Sequence, residues 1–230
     1  MLKWSKNTIK IAFVAFIMMN NAFSEVAPVE IKKETPTYII DIKYPQGFAV
    51  KNINNALKEY IEQTQKSFLN ELSEDEDTPA DAPGKTGINV VYSILYNAKT
   101  ALSIRFDVSL YHKGAAHPLN SVVIHNFIDG KKVELADLFT SNASYLEPIA
   151  QFCKQAITKK KISDEKWIAE GTKSILENYD TWYFTNKGIG IVFNTYQVAA
   201  YVYGPQTVDI PLSVILSILK PKLIKLLWSN

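Results

Sequence analysis

Between residues 50 and 72 the positions Val50, Ile53, Ala56, Leu57, Tyr60, Ile61, Thr64, Phe68, Leu69 and Leu72 step by three and four. That spacing predicts an amphipathic helix of about six turns, whose other face of Lys, Glu, Gln and Asn meets water. So long a one-sided helix needs an apolar surface to cover, and the flanking sequence carries the period that builds one. Ser103, Arg105, Asp107 and Ser109 alternate with Ile104, Phe106, Val108 and Leu110, which is strict period two. Residues 88–96 and 102–111, joined around Asn97-Ala98-Lys99, read as a long antiparallel hairpin. Residues 37–44 read as a strand stopped by Pro45 and Gly47, after a polar lead-in over 28–36.

Further along, residues 121–128 form a strand, Asp129-Gly130 is a type I′ hairpin signal, and 132–135 return. Ser144 with Glu147 has the spacing of a capping box. The helix it opens should bury Leu146, Ile149, Phe152, Cys153, Ala156 and Ile157. A short helix over 164–170, a hairpin from 182–185 and 189–193, a strand over 206–210 and a helix over 212–219 complete the chain. Hairpins outnumber crossovers. The expected class is therefore α+β, with mainly antiparallel sheets built from hairpins and two longer amphipathic helices packed on them. None of the nine glycines lies in a G-x-G-x-x-G or Walker frame. The acidic stretch over 73–84 lacks the alternating ligands of an EF-hand and reads as a solvated connector.

Lys3, Lys6 and Lys10 precede the apolar run 11–19, and Ala22-Phe23-Ser24 follows with small residues at the positions a signal peptidase inspects. Residues 1–24 are thus expected to be a signal peptide, the run being too short to span a bilayer of about 30 Å. Its removal takes 25 basic residues to 22, against 23 acidic ones. The mature surface is then nearly neutral, so nucleic acid is not an expected partner, and no transmembrane helix is expected in the mature chain. The single Cys153 excludes a disulfide framework; on its apolar stripe it reads as a small core residue. The terminal stretch after Leu216 is interrupted by Pro221 and reads as a helix packed on the core.

His112, His117 and His125 fall within fourteen positions but show no ligand spacing, so no metal or cofactor is expected. Pro118 biases His117 toward extended backbone and a fixed ring direction. Tyr196, Tyr201 and Tyr203 lead into the Gly204-Pro205 turn. Tyrosines on a loop either supply contact area for a glycan or protein, or pack inward with satisfied hydroxyls. His117, Tyr196, Tyr201, Tyr203 and Gly204 are the candidate binding residues; no catalytic residue is assigned.

Three phrases carry a family resemblance. Residues 111–118 (YHKGAAHP) resemble Y-x-G-G-A-H-P. Residues 125–139 (HNFIDGKKVELADLF) resemble F-D-x-x-T-G-K-x-L-x-L-x-D-L-F. Residues 184–193 with 196–205 and Ile210-Pro211 resemble F-x-x-x-x-G-L-x-x-x-F, then P-Y-E-V-A-P-Y-A-x-G-P and I-P. Together they resemble the RsiV-type extracytoplasmic module, a two-part domain also found as an accessory region of the peptidoglycan deacetylase PdaC. Ala115, Thr195, Gln197, Ala200 and Tyr203 depart from its pattern. The resemblance implies an N-terminal part over 25–115 and a C-terminal part over 116–230.

Export, the resemblance and the tyrosine-rich loop imply a periplasmic or secreted, non-enzymatic envelope module. Its implied ligand is a protein or glycan, such as lysozyme or a peptidoglycan fragment. A second reading is an envelope hydrolase with His117 as base beside Asp107 or Glu134. A third is a structural or assembly factor.

Overall fold

The computed structural model describes residues 26–74 and 81–228. The expected signal peptide and part of the acidic connector lie outside them. A six-stranded sheet contains β1 (Ala27–Glu34), β2 (Tyr38–Gln46), β3 (Thr86–Asn97), β4 (Ala101–Tyr111), β5 (Leu119–Ile128) and β6 (Lys131–Lys132), in that spatial order. A three-stranded sheet follows, of β7 (Trp182–Thr185), β8 (Gly188–Phe193) and β9 (Gln206–Pro211). Every pairing is antiparallel except β2 with β3. That one parallel pair is joined by the crossover helix α1 (Lys51–Glu74), as a parallel connection requires.

The amphipathic stripe docks as its period demands. Ile53, Leu57, Ile61 and Phe68 of α1 are buried against Ile40, Ile42, Ile88, Val90, Ile104 and Phe106. The other face of the sheet receives the second core. There Cys153, Ile149 and Ile157 of α2 (Leu146–Lys160) pack with Trp182, Phe184, Ile189, Ile191 and Ile210. The α+β class, the hairpins and the two longer helices therefore stand as read. The division expected at residue 115 falls in the turn between β4 and β5, neighbours in one sheet that begin pairing at Leu110 and Leu119.

Four local readings are corrected. The lead-in over 28–36 is mostly strand β1, which pairs with β2 over its whole length yet is exposed at seven of eight positions. The return strand expected over 132–135 shortens to β6; Leu135–Leu138 instead form a 3-10 turn, held by the Glu134 N–H donating to Asp137 Oδ2 at 2.9 Å. The capping box at Ser144 does not form; the cap is Tyr145. Were Ser144 the cap, Pro148 would fall where the helix first needs an N–H donor. One residue later, Pro148 sits in the first turn, whose N–H groups have no intrahelical partner. Lastly, the helix over 212–219 shortens to α4 (Leu212–Ile215), and Pro221 begins α5 (Pro221–Leu227) at its first position. Between α2 and β7 lies α3 (Glu165–Gly171), capped by the Asp164 carboxylate accepting from Trp167 N–H at 2.9 Å.

Candidate functional site

β6 pairs with β5 only at Phe127 and Ile128, so the earlier half of β5 would present an unpaired edge. The loop following β8 closes part of it. Asn194 Oδ1 accepts from Val122 N–H at 2.6 Å, and its Nδ2 donates to Val122 O at 3.2 Å. One side chain thus replaces a strand residue. Gln197 holds the loop: its Oε1 accepts from Asn194 N–H at 2.9 Å, and its Nε2 donates to Gly171 O and Asn178 O. A Cβ on Gly171 would lie 2.0 Å from Gln197 O, so only glycine allows this approach. Tyr196, between these anchors, is in the left-handed region at φ 69°. Trp167 Nε1 donates to Tyr196 O at 2.9 Å and ties the loop to α3.

This scaffold brings three of the expected residues together. The His117 ring stacks on Tyr201 at 4.0 Å between centroids, tilted by 25°. Tyr196 lies 5.6 Å from Tyr201, and its hydroxyl is 3.4 Å from His117 Nε2. His117 Nδ1 is 3.0 Å from Pro118 O, a carbonyl that only accepts, so Nδ1 carries the proton and Nε2 faces the phenol. Tyr201 donates to the same carbonyl at 2.9 Å and accepts from Asn120 Nδ2 at 2.8 Å. The interior of the stack is satisfied, while His117 and Tyr196 remain exposed to solvent. Tyr203 is outside the stack but exposed beside Val202, which is 83% exposed. Gly204 follows Tyr203, outside the stack as well, at φ 60°, ψ −168°, a backbone region essentially confined to glycine.

Beside the stack, Pro205 overhangs a cleft of about 230 Å³ lined by Asn89, Arg105, Asp107, Ser109 and Asn120. Arg105 Nε donates to both Asp107 oxygens at 3.0 Å, fixing the carboxylate in the cleft. Arg105 is the chain's only arginine, and that rarity among 25 basic residues was the available signal for a site the motif reading missed. Asn120 joins cleft to stack through the Tyr201 hydroxyl. Glu134 stands near Lys132, at 3.7 Å. Each carboxylate considered as an acid partner for His117 thus has a cationic neighbour of its own, while the imidazole contacts a carbonyl and a phenol.

The three histidines are not gathered. His125 is buried beneath α1, its ring 4.7 Å from Tyr60, whereas His112 and His117 are exposed. Among the described residues no three metal-ligating side chains cluster. Cys153 is fully buried, and burial pushes its thiol up to about 12.

A family model described as deacetylase PdaC matches residues 31–120, and one described as a protein of unknown function (DUF3298) matches residues 136–213. A curated relative, the peptidoglycan-N-acetylmuramic acid deacetylase PdaC of Bacillus subtilis strain 168, is 26% identical over 211 residues. The chain fits a PdaC-like accessory module. That alignment takes in 90% of this chain but 44% of the relative, so the chain spans less than half the length of that protein. Two DUF3298 structures share the fold of this chain. One, from Bacteroides fragilis, has a TM-score of 0.60 at 18% identity, covering 87% of this chain and 95% of its own. The other, from Pseudomonas aeruginosa, has a TM-score of 0.65 at 13% identity, covering 86% and 94%.

Proposed function

We propose that the chain is an extracytoplasmic, non-catalytic binding module of the cell envelope, and that a peptidoglycan-type glycan docks on His117, Tyr196 and Tyr201. The observation that carries this reading is an exposed aromatic stack adjoining a polar cleft. Sugar rings offer apolar faces to aromatic rings, and their hydroxyls bond to planar polar groups such as Asp107 and Asn120. Likeness to a protein named for acting on peptidoglycan supports a cell-wall setting. The leader-like residues 1–24 support export, and no described helix is long and apolar enough to cross a membrane. Among the described residues His117 contacts a backbone carbonyl and a phenol but no carboxylate to orient it as a base, which favours contact over proton transfer.

Calorimetric titration with soluble muropeptides, and in parallel with lysozyme, tests the reading. Tyr201→Ala and Tyr196→Ala should each weaken glycan binding by about tenfold or more, as hot-spot aromatics do. Heat with lysozyme alone would replace the glycan by a protein ligand on this surface. Silence with both, or binding indifferent to both tyrosines, overturns the proposal.

A further inference from the structure

Among the described residues β1 is paired along one side only: its eight residues run antiparallel to β2 from Ala27 opposite Gln46 to Glu34 opposite Ile39. The register fixes which main-chain groups face outward. Pro28 stands opposite Pro45, and neither has an N–H, so this is a non-hydrogen-bonded pair. By alternation, residues 27, 29, 31 and 33 bond to β2. The N–H and C=O groups of Glu30, Lys32 and Glu34, with the carbonyl of Pro28, point away from the sheet.

Such an edge accepts another strand unless its side chains forbid it. We propose that β1 pairs with β1 of a second copy of this chain, antiparallel, about a two-fold axis through Ile31. In that register Glu30 of each copy lies opposite Lys32 of the other, in the hydrogen-bonded positions, while Ile31 meets Ile31 in the closer non-bonded position. About six backbone hydrogen bonds then join two sheets into one. Ile31 already borders the core under α1, so its contact with itself extends that core across the axis. The neighbouring registers are excluded by charge. Centring on Glu30 sets Glu30 against itself; centring on Lys32 sets Lys32 against itself and Glu30 against Glu34. Like charges directly opposite destabilise a strand pair. Among the registers centred on Glu30, Ile31 and Lys32, the charges that usually blunt an edge leave one arrangement open, and it is self-complementary; centring on Val29 opposes no like charges but within β1 keeps only the bonds between Glu30 and Pro28.

Glu30 and Lys32 are exposed, with 44% and 59% of their side chains accessible, and within one chain they pair with each other at 2.9 Å. Sedimentation velocity on the purified chain over a concentration series should show a monomer–dimer equilibrium. Glu30→Lys alone and Lys32→Glu alone should each lower the association constant by about tenfold or more, and the double exchange should restore it. Ile31→Cys provides a readout independent of charge. On mild oxidation it should give a covalent dimer, while Val29→Cys, opposite Lys33 of the partner copy, should not; the native Cys153 is buried and silent. A chain monomeric at every concentration overturns the inference. So does a dimer indifferent to both charge reversals, or cross-linking at Val29 as ready as at Ile31.

Discussion

His125 lies on the helix-facing side of β5, where its ring meets Tyr60 of α1 at 4.7 Å and Phe106 of β4 at 5.9 Å. Both ring nitrogens are buried without a hydrogen-bond partner among the described residues. Burial first, and the Lys132 charge second, hold its pKa down to about 4, against 6.5 for an ordinary histidine. The folded chain therefore keeps the ring neutral, while the unfolded chain takes up a proton below about 6.5. The stability associated with the neutral ring is fully present above that pH and is lost progressively as the pH falls toward 4. The total is roughly 3 kcal/mol for a shift of this size. Urea unfolding at a series of pH values should show this loss. His125→Leu removes the titrating group and keeps an apolar side chain of similar size, so its stability should vary less over the same window while remaining within about 1.5 kcal/mol of the parent at pH 7. An unchanged pH profile in that variant would assign the acid sensitivity to other groups.

At the level of elements, the loop after β8 joins the two sheets by lending Asn194 to the edge of β5. Asn194→Ala leaves the Val122 N–H and carbonyl facing the seam without their partner, at a cost of about 1–3 kcal/mol. Urea midpoints should fall accordingly, and amide exchange at Val122 should accelerate more than at Ile104, which is inside the same sheet. Equal acceleration at both would mean that the side chain stabilises the fold without closing that edge. No sequence pattern pointed to Asn194, because a side chain standing in for a strand residue leaves no period. β1 was missed because its alternation is short: Val29 and Ile31 alternate with Glu30 and Lys32, but Pro28 precedes them and the charged Lys33-Glu34 ends the pattern. α1 was legible because it has one wet and one buried face, and β4 because its residues alternate; β8, buried at all six positions, was legible from its apolar run behind the Asn186-Lys187-Gly188 turn. Pro221 was read as a breaker where it is a first-turn residue, since a proline alone does not say which side of it is helical. The stack of His117 with Tyr201 was foreshadowed by the rigid X-Pro geometry and the clustered tyrosines, but their meeting from 84 positions apart came only with the fold.

Across the whole molecule, the two sheets share a buried polar junction. Ser103 Oγ donates to Asn126 Oδ1 at 2.6 Å, and Asn126 Nδ2 donates to Trp182 O at 2.7 Å. Phe184 N–H donates to Ser103 Oγ at 3.0 Å. Ser103 and Asn126 are almost fully buried and belong to the first sheet, whereas Trp182 and Phe184 belong to β7 in the second. Val122 and Ile124 pack against Val192 alongside. A satisfied network in a low-dielectric seam couples its members strongly, and breaking one member strands the others. The two sheets should therefore unfold as one unit. In the chain lacking residues 1–24, and with them Trp4, the tryptophans are Trp167, Trp182 and Trp228, all beyond the first sheet, so fluorescence follows the second part, while far-ultraviolet circular dichroism follows both. In the parent chain the two signals should give coincident denaturation curves. Asn126→Leu deprives the Trp182 carbonyl and the Ser103 hydroxyl of their partner, and should lower stability by about 2–4 kcal/mol and pull the two curves apart. Curves already separated in the parent would show that the seam is a contact between independent units. The stack and cleft, built from His117, Asn120 and Arg105 on one side and Tyr196, Tyr201 and Pro205 on the other, would then depend on a docking equilibrium, and ligand affinity would fall wherever the curves diverge.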